Sequence, residues 1–290
     1  MQAIVTAWAR VGAYASLIRF GHTVFALPFA LTGAMLAAAA GCPLGWGRVG
    51  WIVLAMASAR TAAMGMNRLA DARYDALNPR TTNRELPRGL VSGGEAAALV
   101  VVSSAVFVAV AWRLGPLCFV LSPVALAVVF WYSFAKRYTH YTQLWLGLAL
   151  AVAPVGGWLA VCGQFGWAAV WLALGTGMWV AGFDILYACE DIEFDRRSRL
   201  FSIPARFGVA RSLWVSRILH VVAVASLGAL ALVMPLGPVY LAGVAGVALL
   251  LGYEQSLVRA DDLSRVGEAF NLNGYVGFLY LAATAAALYV

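Results

Sequence analysis

Two stretches of this chain carry most of the side chains that could do chemistry, and the first runs from 60 to 89. As a helix, this stretch would place Asn67, Asp71 and Asp75 at i, i+4 and i+8, so that all three project from one face. Carboxylates that alternate with guanidinium groups indicate a site for a polyvalent cation together with an anionic ligand. The arginines of the stretch are Arg60, Arg68, Arg73, Arg80, Arg84 and Arg88.

The second stretch, from 184 to 208, repeats this chemistry. As one continuous helix it would place Asp184, Tyr187, Asp191 and Asp195 at i, i+3, i+7 and i+11, again on one face. Asp71 and Asp75 of the first stretch therefore recur as Asp191 and Asp195 of the second, each at the same distance along the chain. The repetition favours a shared ligand that both stretches contact.

A diphosphate bridged by magnesium fits these two sets of side chains. Magnesium is commonly held by one or two carboxylates plus substrate phosphate oxygens, and arginine contacts phosphate through paired hydrogen bonds. An aspartate costs about 2.5–3.5 kcal/mol at the centre of a membrane helix, so aspartates collected at two helix ends need a counter-charge. The alternative is a set of solvated helix caps and loop salt bridges, which the matching spacing in both stretches disfavours.

The composition is typical of an integral membrane protein. Of the 290 residues, 63% are hydrophobic and 11% are charged, and the mean hydropathy is +0.83, whereas a soluble domain averages about 25% charged residues. The net charge of +7 does not indicate nucleic-acid binding, because the basic residues lie in short loops between long apolar runs. We therefore expect the lipid bilayer, and no nucleic acid, among the partners; the oligomeric state stays open.

About nine apolar spans follow a weakly amphipathic segment, 1–20, which we expect to form a helix at the membrane interface. Each span is long enough to cross ~30 Å of hydrocarbon. We therefore predict an all-α integral membrane protein in which residues 1–290 form a single transmembrane bundle. The predicted spans are 22–41, 48–66, 95–113, 116–134, 143–162, 166–186, 212–233, 237–256 and 270–289.

The basic residues predict the orientation of these spans. They follow the second, fourth, sixth and eighth spans, whereas the other connections carry almost none. The positive-inside rule then places the N-terminus and both acidic stretches on the cytoplasmic side of the cell's inner membrane. Cys42 and Cys162 both fall near the outer surface, where a disulfide is conceivable, but the four cysteines form no paired motif and we expect free thiols.

The polar motifs resemble those of a known membrane family. Asn67-x3-Asp71-x3-Asp75 and Asp184-x6-Asp191-x3-Asp195 resemble the two aspartate motifs of the UbiA-type intramembrane prenyltransferases, and Tyr132 to Lys136 (YSFAK) resembles that family's YxxxK element. The resemblance extends over nearly the whole chain in span number and motif order.

Two further features refine this resemblance. Arg68 departs from the pattern, because many relatives carry Asp at that position, so the geometry of the first metal cluster is an open point. The flanking segments NPRTTNRELPRG and LFSIPARFG resemble members that act on aromatic acids in quinone synthesis. They are most similar to the branch linked to the futalosine route to menaquinone.

The resemblance implies magnesium-dependent transfer of a polyprenyl group from polyprenyl diphosphate to an aromatic hydroxy acid. The acceptor would be of the 4-hydroxybenzoate or 1,4-dihydroxy-6-naphthoate type, in ubiquinone or menaquinone synthesis. Asp71, Asp191 and Asp184 would be catalytic, with Asp184 orienting or deprotonating the phenol.

The resemblance also assigns the remaining roles. Of the expected magnesium ligands, Asn67, Asp71 and Asp75 would bind one ion, and Asp191 and Asp195 would bind the other. The expected diphosphate contacts are Arg68, Arg80, Arg84 and Lys136, and the expected acceptor contacts are Arg60 and Tyr187. For Arg60, a structural partner of a buried acid is an equal alternative, as simple packing is for Tyr187.

Other functions compete with this prediction. A polytopic transporter would explain charged residues within membrane helices, although the acids gather at one membrane face rather than at its midplane. The same fold could also serve another acceptor, such as a haem, a chlorophyll precursor or a glycerol-phosphate lipid. A non-catalytic assembly factor is disfavoured by the complete set of aspartates.

Overall fold

The computed structural model describes residues 12, 14, 16, 17 and 25–290, and these are mainly helical, without a strand. The helices are α1 (Leu27–Ala39), α2 (Trp46–Asp75), α3 (Gly93–Leu114), α4 (Pro116–Ala135), α5 (Thr142–Cys162), α6 (Trp167–Ala188), α7 (Ile192–Arg197), α8 (Ile203–Phe207), α9 (Val209–Val233), α10 (Gly237–Leu257) and α11 (Val266–Tyr289). A 3-10 turn, Cys189–Asp191, joins α6 to α7. The prediction of an all-α protein is confirmed.

Eight helices in these ranges are long and apolar enough to cross a membrane. They correspond to the last eight of the nine predicted spans. The first predicted span, 22–41, begins outside the described residues and contains the 13-residue helix α1. The predicted interfacial helix over 1–20 lies almost entirely outside the part of the chain that the structure describes.

The helices form one closed bundle with α6 near its centre. Helix α6 packs against α5 on one side and α9 on the other, while α2, α3, α4 and α5 follow one another as neighbours. Helices α9, α10 and α11 continue the ring, and α1 closes it by packing against both α11 and α5. Both acidic stretches therefore emerge at one end of a single bundle.

Two glycines allow neighbouring helices to approach closely. A Cβ atom on Gly157 in α5 would overlap the carbonyl oxygen of Ala30 in α1. A Cβ atom on Gly147 in the same helix would overlap the carbonyl oxygen of Gly177 in α6. Small residues at such crossings are the usual means of packing helices in a membrane, and here they fix α5 between α1 and α6.

The second acidic stretch is one helical run, as predicted, but it contains a 3-10 turn that shifts the α-helical spacing between Asp184 and Asp195. Helix α6 ends at Ala188, and the tighter 3-10 turn Cys189–Asp191 leads directly into α7. Asp184 stays within the bundle on α6, whereas Asp195 on α7 is turned into the protein and is only 1% exposed. Asp184 and Asp195 therefore lie in different environments on the same helical run, one at the cavity and the other buried among ion pairs.

The expectation of free thiols is wrong for one pair of cysteines. Cys42 and Cys162 form a disulfide, with their Cα atoms 5.2 Å apart. Cys162 ends α5, at the opposite end of that helix from Thr142, and Cys42 lies shortly after α1. The bond therefore ties α1 to α5 at the end of the bundle away from the acidic stretches, while Cys118 and Cys189 remain free.

Candidate active site

The first acidic stretch forms the last turns of α2, which confirms that Asn67, Asp71 and Asp75 lie on one helix at successive i+4 positions. The Asn67 amide donates a hydrogen bond of 3.0 Å to Asp71 Oδ2. On its other side, Arg137 Nη2 lies 3.3 Å from Asp71 Oδ1 and also donates to the carbonyl of Ala70. The Asp71 carboxylate is thus oriented by an amide and by a guanidinium group.

Asp75 is buried and holds Arg84. One nitrogen of Arg84, Nη1, lies 2.7 Å and 2.8 Å from the two carboxylate oxygens of Asp75. The Thr81 hydroxyl donates to the Asp75 carbonyl at 3.1 Å, which fixes the loop that carries Arg84. Since Asp75 is only 6% exposed, its direct effect is to position the guanidinium group of Arg84.

Asp195 has the corresponding role in the second stretch. Its Oδ1 lies 3.4 Å from Lys136 Nζ, and its Oδ2 accepts a hydrogen bond of 2.9 Å from the Ser202 hydroxyl. The backbone also joins these segments, because the Phe201 N–H donates to the Lys136 carbonyl at 2.7 Å. Burial lowers the pKa of Lys136, but the carboxylates of Asp195 and Asp191, with two further aspartates, raise that pKa above its usual range. The ammonium group is therefore held in its charged form.

Arg80 and Asn78 join the two acidic stretches. The Asn78 amide donates to Asp191 Oδ1 at 3.2 Å, and Arg80 Nη1 lies 3.3 Å from the same oxygen. Arg80 also pairs with Glu190 at 2.8 Å, and its guanidinium carbon lies 4.7 Å from the centre of the Tyr187 ring. The loop after α2 is thereby attached to the turn after α6.

A cavity of about 570 Å³ begins beside these ion pairs and extends along most of the bundle. Asn67 and Asp184 line it near one end, and Ile52 and Cys118 line it near the opposite ends of their helices. The other residues that line the cavity are almost all apolar. The polar residues that line the cavity are Arg60, Asn67, Arg68, Arg84, Ser122, Tyr132, Asp184 and Tyr187.

The predicted site residues divide into two groups by this geometry. One group lines the cavity, and its members are Arg60, Tyr187, Asp184, Asn67, Arg68 and Arg84. The other group forms an ion-pair layer outside the cavity lining, and consists of Asp71, Asp75, Asp191, Asp195, Arg80 and Lys136. The structure therefore brings the predicted residues to one end of the bundle, except for Arg60, which lines the cavity midway along α2.

Arg68 is the candidate whose environment differs most from the expectation. It is 3% exposed, and its Nε donates to the carbonyl of Leu17 at 3.3 Å. Leu17 itself packs with Val91 and Ala96. The Arg68 side chain therefore attaches Leu17 to α2, although it also borders the cavity.

Sequence reasoning did not single out three residues of this site. Arg137, which orients Asp71, was considered only as a loop charge, although it directly follows the YxxxK element. Asn78 lies in the flanking segment NPRTTNRELPRG without an acidic neighbour in sequence, so no local pattern indicated its bond to Asp191. Glu190 precedes Asp191, and only the turn after α6 brings it to Arg80.

The donor set is consistent with magnesium that shares its coordination with a phosphate ligand. In the part of the chain that the structure describes, no three or more His, Cys, Asp or Glu side chains group as a metal site. The carboxylates instead come in pairs, and magnesium typically uses one or two carboxylates plus phosphate oxygens. Asp71 and Asp191 retain partial exposure, 28% and 16% for their side chains, so they are the more accessible member of each pair.

Comparison with known proteins identifies the architecture. The sequence profile of the UbiA prenyltransferase family matches residues 26–282. The chain is 31% identical over 246 residues to a 4-hydroxybenzoate octaprenyltransferase of Vibrio campbellii, covering 85% of this chain and 86% of that protein. It is 34% identical over 227 residues to a protein of the same name from Alkalilimnicola ehrlichii, covering 78% and 77%.

Solved structures show the same fold. The apo structure of a UbiA homolog from Aeropyrum pernix K1 matches with a TM-score of 0.84 at 35% identity, covering 92% of this chain and 98% of that one. A UbiA homolog from Archaeoglobus fulgidus, bound to GPP and Mg2+, matches with a TM-score of 0.72 at 20% identity, covering 96% and 100%.

Proposed function

The chain belongs to the UbiA prenyltransferase family, and from this premise we propose that it transfers a polyprenyl chain from its diphosphate to an aromatic hydroxy acid. Membership favours a transferase over the transporter and the assembly factor that the sequence left open. The observation that carries the proposal is the cavity itself, a long apolar space in which Asp184 and Arg84 border the polar end and Arg60 lines the wall midway along α2.

The diphosphate would bind at the ion-pair layer. Asp191 and Asp195 hold Arg80 and Lys136 in that layer, and Asp75 holds Arg84 where the layer meets the cavity, so these charges are oriented before the substrate arrives. Fixed cations that face the place where negative charge develops stabilise a transition state without reorganisation. Breaking the allylic C–O bond leaves the bonding electrons on the diphosphate, and these side chains would stabilise that charge.

Magnesium would be held by Asp71 and Asp191, with Asn67, Asp75 and Asp195 as nearby oxygen donors. When bound, it would neutralise charge on the leaving diphosphate. The Archaeoglobus fulgidus homolog, which shares the fold, is described as bound to GPP and Mg2+. In this chain the arginines and Asn78 would keep the two aspartates oriented toward the same ligand.

The acceptor would bind beside Asp184. In this arrangement Arg60 would pair with the acceptor's carboxylate, and Asp184 would orient the phenol and take its proton. The ring carbon then attacks the allylic carbon, and the ring loses a proton to restore aromaticity. The apolar walls would exclude water, which would otherwise capture the allylic cation.

The proposed orientation places the acidic end in the cytoplasm and the disulfide on the outer side of the inner membrane. Disulfides persist in oxidising compartments, and the Cys42–Cys162 bond lies at the end of α5 away from the acidic stretches. The distribution of basic loop residues supports the same orientation.

The named relatives and the motif-flanking segments point to different acceptors. The relatives named 4-hydroxybenzoate octaprenyltransferase support 4-hydroxybenzoate, whereas the flanking segments resemble the branch that uses a dihydroxynaphthoate. The test is an assay of purified protein with a polyprenyl diphosphate, Mg2+ and each acceptor separately, with the product identified by mass spectrometry.

We expect a prenylated product from one of the two acids, and its loss when a chelator is added. Product from another ring alone would retain the prenyltransferase and replace the acceptor. No prenylated product and no diphosphate release with any aromatic acid would contradict the proposed function.

A further inference from the structure

The lining of the cavity changes character from one side to the other. Every residue that α5 contributes, from Leu146 to Leu159, is aliphatic or glycine. Six aromatic side chains line the cavity, and two of them, Phe107 on α3 and Tyr132 on α4, belong to helices that follow the first acidic stretch in the chain. The other four come from three different parts of the chain and contact one another. They are Phe25, which precedes α1, Phe183 and Tyr187 on α6, and Phe270 on α11.

These four rings, which we term the aromatic wall, are in contact with one another. The ring centres of Phe25 and Phe183 lie 5.9 Å apart, and those of Phe25 and Phe270 lie 5.6 Å apart. Phe183 and Phe270 meet edge to face at 5.7 Å, and Tyr187 lies 4.8 Å from Phe270. These separations are in the range where aromatic pairs attract one another, so the aromatic wall is one packed unit.

A buried polar chain behind the aromatic wall keeps it in place. The Trp179 ring packs edge to face on Phe183 at 5.2 Å, and its indole N–H donates to Asn273 Oδ1 at 2.7 Å. The Asn273 amide in turn donates to Glu254 Oε1 at 2.8 Å. Since Trp179, Asn273 and Glu254 lie on α6, α11 and α10, three helices hold the surface that Phe183 presents to the cavity.

The position of the aromatic wall indicates what it contacts. Phe183 directly precedes Asp184, and both side chains line the cavity. Arg80 lies over the outer ring, Tyr187, and ties it to the ion-pair layer. A flat ring placed at Asp184 would therefore meet aromatic edges and faces, while the aliphatic surface of α5 would remain for a flexible hydrocarbon chain.

We propose that the aromatic wall packs against the ring of the acceptor, and that Phe183 and Phe270 determine which aromatic acids are accepted. This inference rests on the proposed function, because it assigns the binding surface for the acceptor of that reaction. It predicts that removal of a ring weakens acceptor binding and leaves the prenyl diphosphate unaffected.

The test compares Phe183→Leu and Phe270→Leu with a matched control, Phe29→Leu. Phe29 belongs to the same packed aromatic group, since its ring lies 5.0 Å from Trp179 and 5.6 Å from Tyr280. It does not line the cavity. All three changes remove one ring and retain an apolar side chain, so a loss of packing alone would affect them equally.

We expect the acceptor KM to rise about three- to tenfold in Phe183→Leu and Phe270→Leu, the size expected for one lost aromatic contact. The KM for the prenyl diphosphate should change by less than about twofold, and Phe29→Leu should leave both constants near the wild-type values. Phe183→Tyr, which keeps the ring, should restore most of the acceptor affinity in a variant that folds normally.

The outcomes separate this inference from the proposed function. Prenylated product from the wild-type protein, with an unchanged acceptor KM in Phe183→Leu and Phe270→Leu, would overturn the role of the aromatic wall alone. An equal effect in Phe29→Leu, or an equal rise in the KM for prenyl diphosphate, would also overturn it. No product from the wild-type protein with any aromatic acid would overturn the proposed function and this inference together.

Discussion

Asn78 donates a hydrogen bond of 3.2 Å to the carboxylate of Asp191 across 113 residues of the chain. Asn78 lies in the loop after α2, and its own side-chain oxygen accepts a hydrogen bond from the backbone N–H of Arg80. One amide therefore orients an aspartate of the second acidic stretch and also fixes the loop of the first. The two stretches act as one site because of such bonds between them.

Replacing Asn78 by Ala removes this connection. We expect kcat/KM to fall about 10- to 100-fold, since a hydrogen bond to a charged group is worth about 1.5–3 kcal/mol, with a higher Mg2+ concentration needed for half-maximal rate. Steady-state kinetics over a Mg2+ titration would measure both effects. Thr82→Ala, at an exposed position in the same loop, is the control, and equal kinetics in the two variants would contradict the role of Asn78.

Arg60 allows a test of the acceptor's carboxylate. If the guanidinium group pairs with it, Arg60→Met should lower kcat/KM for 4-hydroxybenzoate about 10- to 100-fold, the usual range for a charge-assisted bond. The same variant should lose far less with 4-hydroxybenzamide, because that acceptor has no charge to pair. This comparison is made with 4-hydroxybenzoate if the protein prenylates that acid. If it prenylates the dihydroxynaphthoate instead, the same comparison is made with the naphthoate and its amide.

The comparison of acid and amide controls for folding, because both acceptors are measured on the same preparation. Arg88→Met, at an exposed loop position, should leave both rates near those of the wild-type protein. A parallel loss with acid and amide in Arg60→Met would show that Arg60 supports the helix rather than the acceptor.

The buried polar chain behind the aromatic wall predicts a stability effect. Asn273→Leu would leave the indole N–H of Trp179 and Oε1 of Glu254 without their partner. Each buried group left unsatisfied costs about 1–3 kcal/mol, so the midpoint of thermal unfolding in detergent should fall by several degrees. Thr176→Val on α6 removes a buried hydroxyl that donates to the carbonyl of Leu172, one turn earlier in the same helix, and it should change the midpoint little. Equal midpoints in the two variants would contradict this account.

Much of this architecture follows from sequence because membrane helices are long apolar runs. The last eight predicted spans match helices, and the spacing of Asn67, Asp71 and Asp75 was sufficient to place them on one helix face. The length of an apolar run and the spacing of residues along a helix are both local properties, so they can be read from the sequence before the packing of the helices is known.

The features that the sequence did not predict depend on contacts between segments that are distant in the chain. No Gly or Pro marks the turn at Cys189–Asp191, so helical periodicity alone predicted an unbroken α-helix there. Likewise, the bond between Cys42 and Cys162 requires α1 and α5 to be neighbours, which spacing cannot show. The partners of Asp191 come from the loop after α2, and only the closed bundle brings that loop to the end of α6.

In the proposed reaction, Asp71 and Asp191 hold the magnesium-bound prenyl diphosphate that is consumed. The most direct measurement is the rate of diphosphate release by Asp71→Ala and Asp191→Ala, with saturating prenyl diphosphate, acceptor and Mg2+. Loss of a catalytic charge contact of this kind typically costs a factor of about 10²–10³, so release should be nearly abolished in both variants while each elutes from size exclusion like the wild-type protein. Release at the wild-type rate in either variant would contradict the assignment of that aspartate.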